Sequence, residues 1–495
     1  MTFADRLRPL ILAAAVVAAF PATAQLPTLG ASGDMTTAAE RKLGEKIARE
    51  LYRDPDYIDD PVLVEYVRKV WQPLLDAARA RGELSSEMDE RFAWQVLMGK
   101  DRTINAFALP GGWLGLNLGL ISATQNRDEL AGVLAQELSH VTQRHISRLM
   151  EQEKKQTPLV IGAMILGAIA ASKSPDAANA AIVGGQALAA QSQLNFSRDM
   201  EREADRIGYG VATQAGYDPH AFATVFEKLQ QAARHNDAGA FPYLRTHPLT
   251  TERIAEMQSR QQLAGGPVRP EGGLAPEHAM IAARARVLSN PGVDALRAYV
   301  REPRELPSGA SAARQAGAWY ASALASARLR DFSQAAADAE RLRGQATEPA
   351  AARLAKLLAA EIALAAGEPQ RALSLLDADP KERPELMLAA QARLLAGRPG
   401  DIAQRLQSWV ALQPRDAMAW QWLARANAMQ GQNLRAIRAE AEAQVAQMDY
   451  AAAMDRFKAG QDLARRGGGD HIEASIIDTR ARQVESLLRE QALER

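Results

Sequence analysis

Apolar residues recur at three- and four-residue intervals along most of this chain, a period that predicts helices. Leu43, Ile47 and Leu51 share one helical face, and after the turn Asp59-Asp60-Pro61 the residues Val62, Val64, Tyr66, Val67 and Trp71 continue the pattern. Over residues 128–150 the stripe is Leu130, Val133, Leu134, Leu138 and Val141, which predicts a helix packed into a core. Alternating patterns are confined to one short region. Residues 92–98 predict a strand, and residues 104–116 predict a strand, a Pro110-Gly111-Gly112 turn and a second strand. The expected fold class is mainly α with a small sheet.

Two Ala/Gly/Ile-rich stretches follow the long helix, at residues 158–171 and 177–190. Each is shorter than the ~20 apolar residues that span a bilayer. They predict core helices, with a hairpin over the site or in peripheral contact with a membrane surface as the alternative. Gly265-Gly266-Pro267 and Pro270-Glu271-Gly272-Gly273 cannot continue a helix and predict a linker at residues 263–276. Beyond it Trp319, Ala323, Arg330 and Ala335 recur as Ala360, Gly367 and Ala372, as Ala390 and Gly397, and as Trp420, Leu423, Ala424, Gly431 and Ala436. A spacing of about 34 residues, with Pro380 and Pro414 where helix pairs should end, is the tetratricopeptide pattern. Residues 277–495 are therefore read as an α-solenoid with a concave, protein-binding surface.

Composition narrows the classes. With 59 basic and 59 acidic residues and no basic block, nucleic acid is not an expected partner. The absence of cysteine removes disulfides, thiolate ligands and cysteine nucleophiles. Arg6 and Arg8 precede an apolar run and Ala22-Thr23-Ala24, so residues 1–24 read as a signal peptide and the protein as periplasmic.

Candidate chemistry lies on the helix of residues 128–150, in Gln136-Glu137-Leu138-Ser139-His140. Positions 136 and 140 leave one face of a helix with Glu137 beside them, the geometry in which zinc peptidases place two histidine ligands and a general base. Gln136 stands at the first ligand position, and a neutral amide is a poor zinc ligand. Glu201 and Asp205, again four apart, can reach a metal and orient a ligand histidine. His247 lies in a Thr246-His247-Pro248 turn that reads equally well as solvent-exposed. The strand carrying Asn105, Ala106, Phe107 and Ala108 can offer a free edge to an extended peptide or be an ordinary hairpin.

Asn105-Ala106-Phe107-Ala108-Leu109-Pro110-Gly111-Gly112, Glu137, His140, Glu201-x-x-Ala204-Asp205 and Thr246-His247-Pro248, in this order and followed by repeats, resemble the periplasmic β-barrel assembly-enhancing proteases. That family joins a zinc metallopeptidase domain related to the CAAX prenyl proteases and HtpX to a tetratricopeptide domain. The resemblance implies a zincin-like α+β domain with a small sheet over residues 25–262 and one zinc ion per subunit. Glu137 matches the general base, His140 the second histidine ligand, Glu201 the third protein ligand, and Asp205 the carboxylate behind them. His247 matches a histidine that can fill the fourth position and hold the enzyme latent. The implied partners are unfolded or misassembled outer-membrane proteins and the β-barrel assembly machinery.

Two functions are compatible with these residues. One is a metalloendopeptidase and chaperone-like factor that degrades stalled outer-membrane proteins; the other is a catalytically impaired homologue, disabled at Gln136, that binds clients through its repeats. N-terminal sequencing of the mature protein is expected to begin at Gln25, and an uncleaved precursor held in the membrane would overturn the signal-peptide reading.

Overall fold

The computed structural model describes residues 35–152, 197–235, 243–244, 247, 250–264, 275–289, 291–467 and 470–493. The signal segment, the stretches at 158–171 and 177–190 and most of the linker lie outside the described residues. The architecture is mainly α with a three-stranded sheet, as the periodicity predicts. No described helix is long and apolar enough to cross a membrane.

Helices α1 (Thr37–Arg53) and α2 (Pro61–Ala80) start where local chemistry allows: Thr36 caps the first, and Asp60 accepts from the Leu63 amide of the second, with Pro61 at its first position. After the short α3 (Ser86–Arg91) come β1 (Gln95–Gly99), β2 (Ala106–Leu109) and β3 (Trp113–Asn117). The sheet order is β1-β3-β2, with β1 parallel and β2 antiparallel to β3. Strand β2 therefore lies at the sheet edge, paired on one side only among the described residues. The β2–β3 turn needs glycine: Gly111 and Gly112 have φ of 71° and 83°, and a Cβ on Gly111 would come within 2.6 Å of the Arg41 Cα in α1.

Helix α4 (Leu118–Ala123) leads into α5 (Arg127–Thr142), capped by Asn126, whose side chain accepts from the Glu129 amide at 2.8 Å. The single helix expected over residues 128–150 is broken. Arg144 adopts φ 51°, and a new helix α6 (His145–Gln152) begins after it. The break is held from outside the helix, because the Arg144 guanidinium donates to Glu40 at 2.8 Å and to the Met35 carbonyl. Helices α7 (Arg198–Gln214), α8 (Pro219–His235) and α9 (Thr251–Ala264) complete this part. Gly208 lets α7 lie directly on α5, since a Cβ there would stand 3.0 Å from the Gln136 amide nitrogen.

From Pro276 to Leu493 the described residues form helices joined by short turns, beginning with α10 (Pro276–Leu288), which packs on the helix Ala312–Arg328; from Val293 onward consecutive helices pack on one another. Left-handed residues end helices at Arg330, Gly367, Gly397 and Gly431, in step with the repeat spacing. Ala335, Ala360, Ala372 and Ala390 are buried where helices cross.

Side chains from both sides of the expected boundary share one core, with members from Val62 to Ala392. Three arginines reach back across it. Arg284 donates to Asp60 through Nε at 2.8 Å and Nη2 at 2.6 Å, and to Glu361 at 2.8 Å. Arg353 bonds Glu65 at 2.9 Å and Glu385 at 2.6 Å, and Arg383 bonds Asp59 at 2.7 Å and Asp416 at 2.8 Å. His278 bridges the same junction, with Nδ1 at 2.7 Å from the Tyr66 hydroxyl and Nε2 at 2.9 Å from the Thr124 carbonyl.

Two outcomes follow from this junction. Arg284→Ala strands the Asp60 carboxylate in the core and is expected to cost about 3–5 kcal/mol of stability. Arg343→Ala, on an exposed pair with Glu340, should change it by under about 0.5 kcal/mol; urea titration of both variants checks the contrast. Burial pushes the His278 imidazole down to about 4. Its folded value lies below its unfolded value of about 6.5, so the unfolded chain takes up the proton first and stability falls as pH drops between them. His278→Gln should remove that acid limb, seen as a gap between variant and parent that narrows from pH 7 to pH 5.

Candidate metal centre

Helix α5 is buried along its whole site-bearing length, so its polar side chains need partners from other elements. Gln136 has them on every side. Its amide nitrogen donates to Glu201 Oε2 at 3.1 Å and to His140 Nε2 at 3.1 Å, and lies 3.5 Å from His247 Nδ1. The Tyr243 hydroxyl donates to its carbonyl oxygen. Because a carboxylate only accepts, the bond to Glu201 sets which end of the amide carries the nitrogen.

The structure brings His140, Glu201 and His247 together: one ligand atom from each lies within 4.8 Å of the others, and all three side chains are buried. Two imidazoles and a carboxylate are a donor set that suits zinc. The Gln136 NH2 group sits among them with a partial positive charge directed at His140 and Glu201. The residues can hold a metal once that amide turns aside.

His247 is not the exposed turn residue that a short His-Pro motif allows. It is 1% exposed, stacks on Tyr243 with ring centroids 4.7 Å apart, and donates from Nδ1 to Glu201 Oε1 at 2.9 Å. Burial alone would lower its pKa, but Glu201 and Glu137 outweigh it and raise the imidazolium's stability. Its Nε2 stands 3.5 Å from Glu137 Oε1.

Glu137 is fully buried, and neither carboxylate oxygen accepts a hydrogen bond of ordinary geometry from the described residues. Burial pushes its carboxyl up to about 7, with Glu201 adding to the rise and His247 opposing it. The Ala108 amide of β2 faces this carboxylate, so the edge strand runs alongside the site. Asn105, just before β2, keeps its side-chain oxygen buried and without a partner among the described residues. Ala106 and Ala108 are buried, and Phe107 lies across Gly115 of β3.

Asp205 departs from the expected role of orienting a histidine. It accepts from Arg253 Nε at 2.6 Å and Nη2 at 2.7 Å, and Arg253 Nη1 reaches Glu201 Oε2 at 2.9 Å. The carboxylate thus acts on Glu201 through a guanidinium. Tyr243, Arg253, His145 and Glu203 all belong to this cluster and escaped the motif reading. On an unbroken helix His145 would project about 140° round from His140, so only the break at Arg144 turns it back; Tyr243 and Arg253 carry no motif signal at all.

Residues 67–261 match the model of peptidase family M48. The chain is 30% identical over 423 residues to the beta-barrel assembly-enhancing protease of Escherichia coli K12, covering 84% of this chain and 83% of that one. A Vibrio cholerae protein of similar description is 34% identical over 274 residues, about half of each chain (55% and 54%). The mitochondrial metalloendopeptidase OMA1 of Arabidopsis thaliana is 34% identical over 164 residues, 33% of this chain and 31% of that one. Similarity that covers most of the chain, with the M48 match centred on the buried cluster, establishes that this protein belongs to the beta-barrel assembly-enhancing protease family of M48 metalloendopeptidases.

Proposed function

We propose that this protein works in the periplasm on unfolded or misassembled outer-membrane proteins, using a zinc-peptidase scaffold whose cutting activity is held down by Gln136. The observation that carries this reading is the Gln136 nitrogen, bonded at 3.1 Å to both His140 and Glu201 in the place between the metal-capable side chains. Zinc, when bound, would supply Lewis-acid activation of water. His140 and Glu201 would hold it, with His247 as the further ligand that keeps the site latent. Glu137, raised to about 7 by burial, is suited to take a proton at neutral pH.

The edge of β2 supports the substrate side of the reading. An extended client can add to that edge by main-chain hydrogen bonds, which demand little of its sequence and suit a protein that handles many unfolded chains. The helical units from residue 277 onward, read as tetratricopeptide repeats, would dock on the assembly machinery and keep the client near. Client binding without cleavage is thus available to the chain as it stands, because neither the strand edge nor the repeats depend on the ligand at position 136.

The test is metal content and casein cleavage on three proteins. The chain as given is expected to hold zinc weakly and cut slowly or not at all. Gln136→His should bring near-stoichiometric zinc and cleavage, and adding Glu137→Gln to that variant should abolish cleavage while zinc stays. A full zinc ion and rapid cleavage in the chain as given would overturn the reading.

A further inference from the structure

His145 and Glu203 take no part in the function just described, yet both are built into the same cluster. His145 is fully buried, with Nδ1 2.9 Å from His140 Nδ1 and Nε2 3.1 Å from Glu203 Oε2. Glu203 also accepts from Arg148 Nη1 at 2.7 Å, which keeps it a carboxylate. We infer that His145 and Glu203 are positioning residues, which hold His140 in the tautomer whose bare Nε2 faces the metal position.

The direction of the protons follows from chemistry at both ends. Glu203 only accepts, so His145 Nε2 carries the proton in that bond, and the neutral ring has an acceptor at Nδ1. His140 must then donate from Nδ1. At the other end the Gln136 amide donates into His140 Nε2 at 3.1 Å, which requires a lone pair there. The two constraints are independent and agree. A single chain of donors thus runs from Gln136 through His140 and His145 to Glu203. A histidine that ligates through one ring nitrogen while the other donates to a fixed partner is better oriented and more basic, and losing such a partner typically weakens zinc by about 10–100-fold. The break at Arg144 is what makes this contact: the left-handed residue at φ 51° ends α5 and starts α6 on His145.

The inference rests on the proposed zinc site for its consequence but not for its geometry, so it is tested in two settings. In the chain as given, nitrogen-15 NMR of labelled histidine should show His140 protonated at Nδ1, and His145→Ala should lose that pattern. In the Gln136→His background, zinc titration should show affinity reduced about 10–100-fold by His145→Ala. His145→Asn should recover most of the loss, because its Oδ1 can accept where Nδ1 stood. Glu203→Ala should give a smaller fall, since His145 still accepts from His140. A His140 proton on Nε2, or a tautomer and zinc affinity unmoved by His145→Ala, would overturn the inference. Failure of Gln136→His to gain zinc would instead count against the proposed function, and the NMR result would still decide the relay.

Discussion

Burying an entire polar helix face is the constraint from which the rest of this molecule follows. Every residue of α5 from Glu129 to Thr142 is buried, and a buried polar group without a partner costs several kcal/mol. Each one therefore dictates something about its surroundings. Glu129 takes Lys228 from α8 and the Gln125 amide; Ser139 bonds back to the Ala135 carbonyl; Gln136 takes Tyr243 and Glu201; His140 takes His145. The exception is Glu137, whose carboxylate has no partner of ordinary geometry among the described residues. A buried acid approached only loosely, by the Ala108 amide and His247, is the feature least explained by stability and best explained by chemistry.

Gln136 shows how such a cluster tolerates a substitution at a ligand position. Glu201 accepts from Arg253, His247 and Gln136 together. Its charge is thereby compensated without an ion, and the protein keeps the shape of a metal site while its own amide fills the centre. The same contacts fix Glu201 and Gln136 relative to His140 and to the edge strand.

The junction with the C-terminal helices is of a different kind. Arg284, Arg353 and Arg383 each pair with one carboxylate near the start of α2 and another within the helical units. With a shared core beneath them, these forked contacts couple the units into a single body. The C-terminal helices and the edge strand beside Glu137 therefore belong to one packed unit.

The helical class and the small hairpin with its Pro-Gly-Gly turn were legible in the chain itself, and the order of its motifs marked Glu137, His140, Glu201 and His247 as candidates. These are local or periodic properties, written in spacing and residue type. Contacts between distant segments set the rest. It turned Asp205 to Arg253 instead of a histidine, buried His247 where a turn residue is as readily exposed, and placed the Gln136 nitrogen between His140 and Glu201. It also broke the long helix at Arg144, because Glu40 and Met35 from α1 and its approach hold that guanidinium, and so set His145 against His140. No periodicity carries that information: a left-handed arginine is unfavourable locally, and only contacts made by a distant segment compensate its cost.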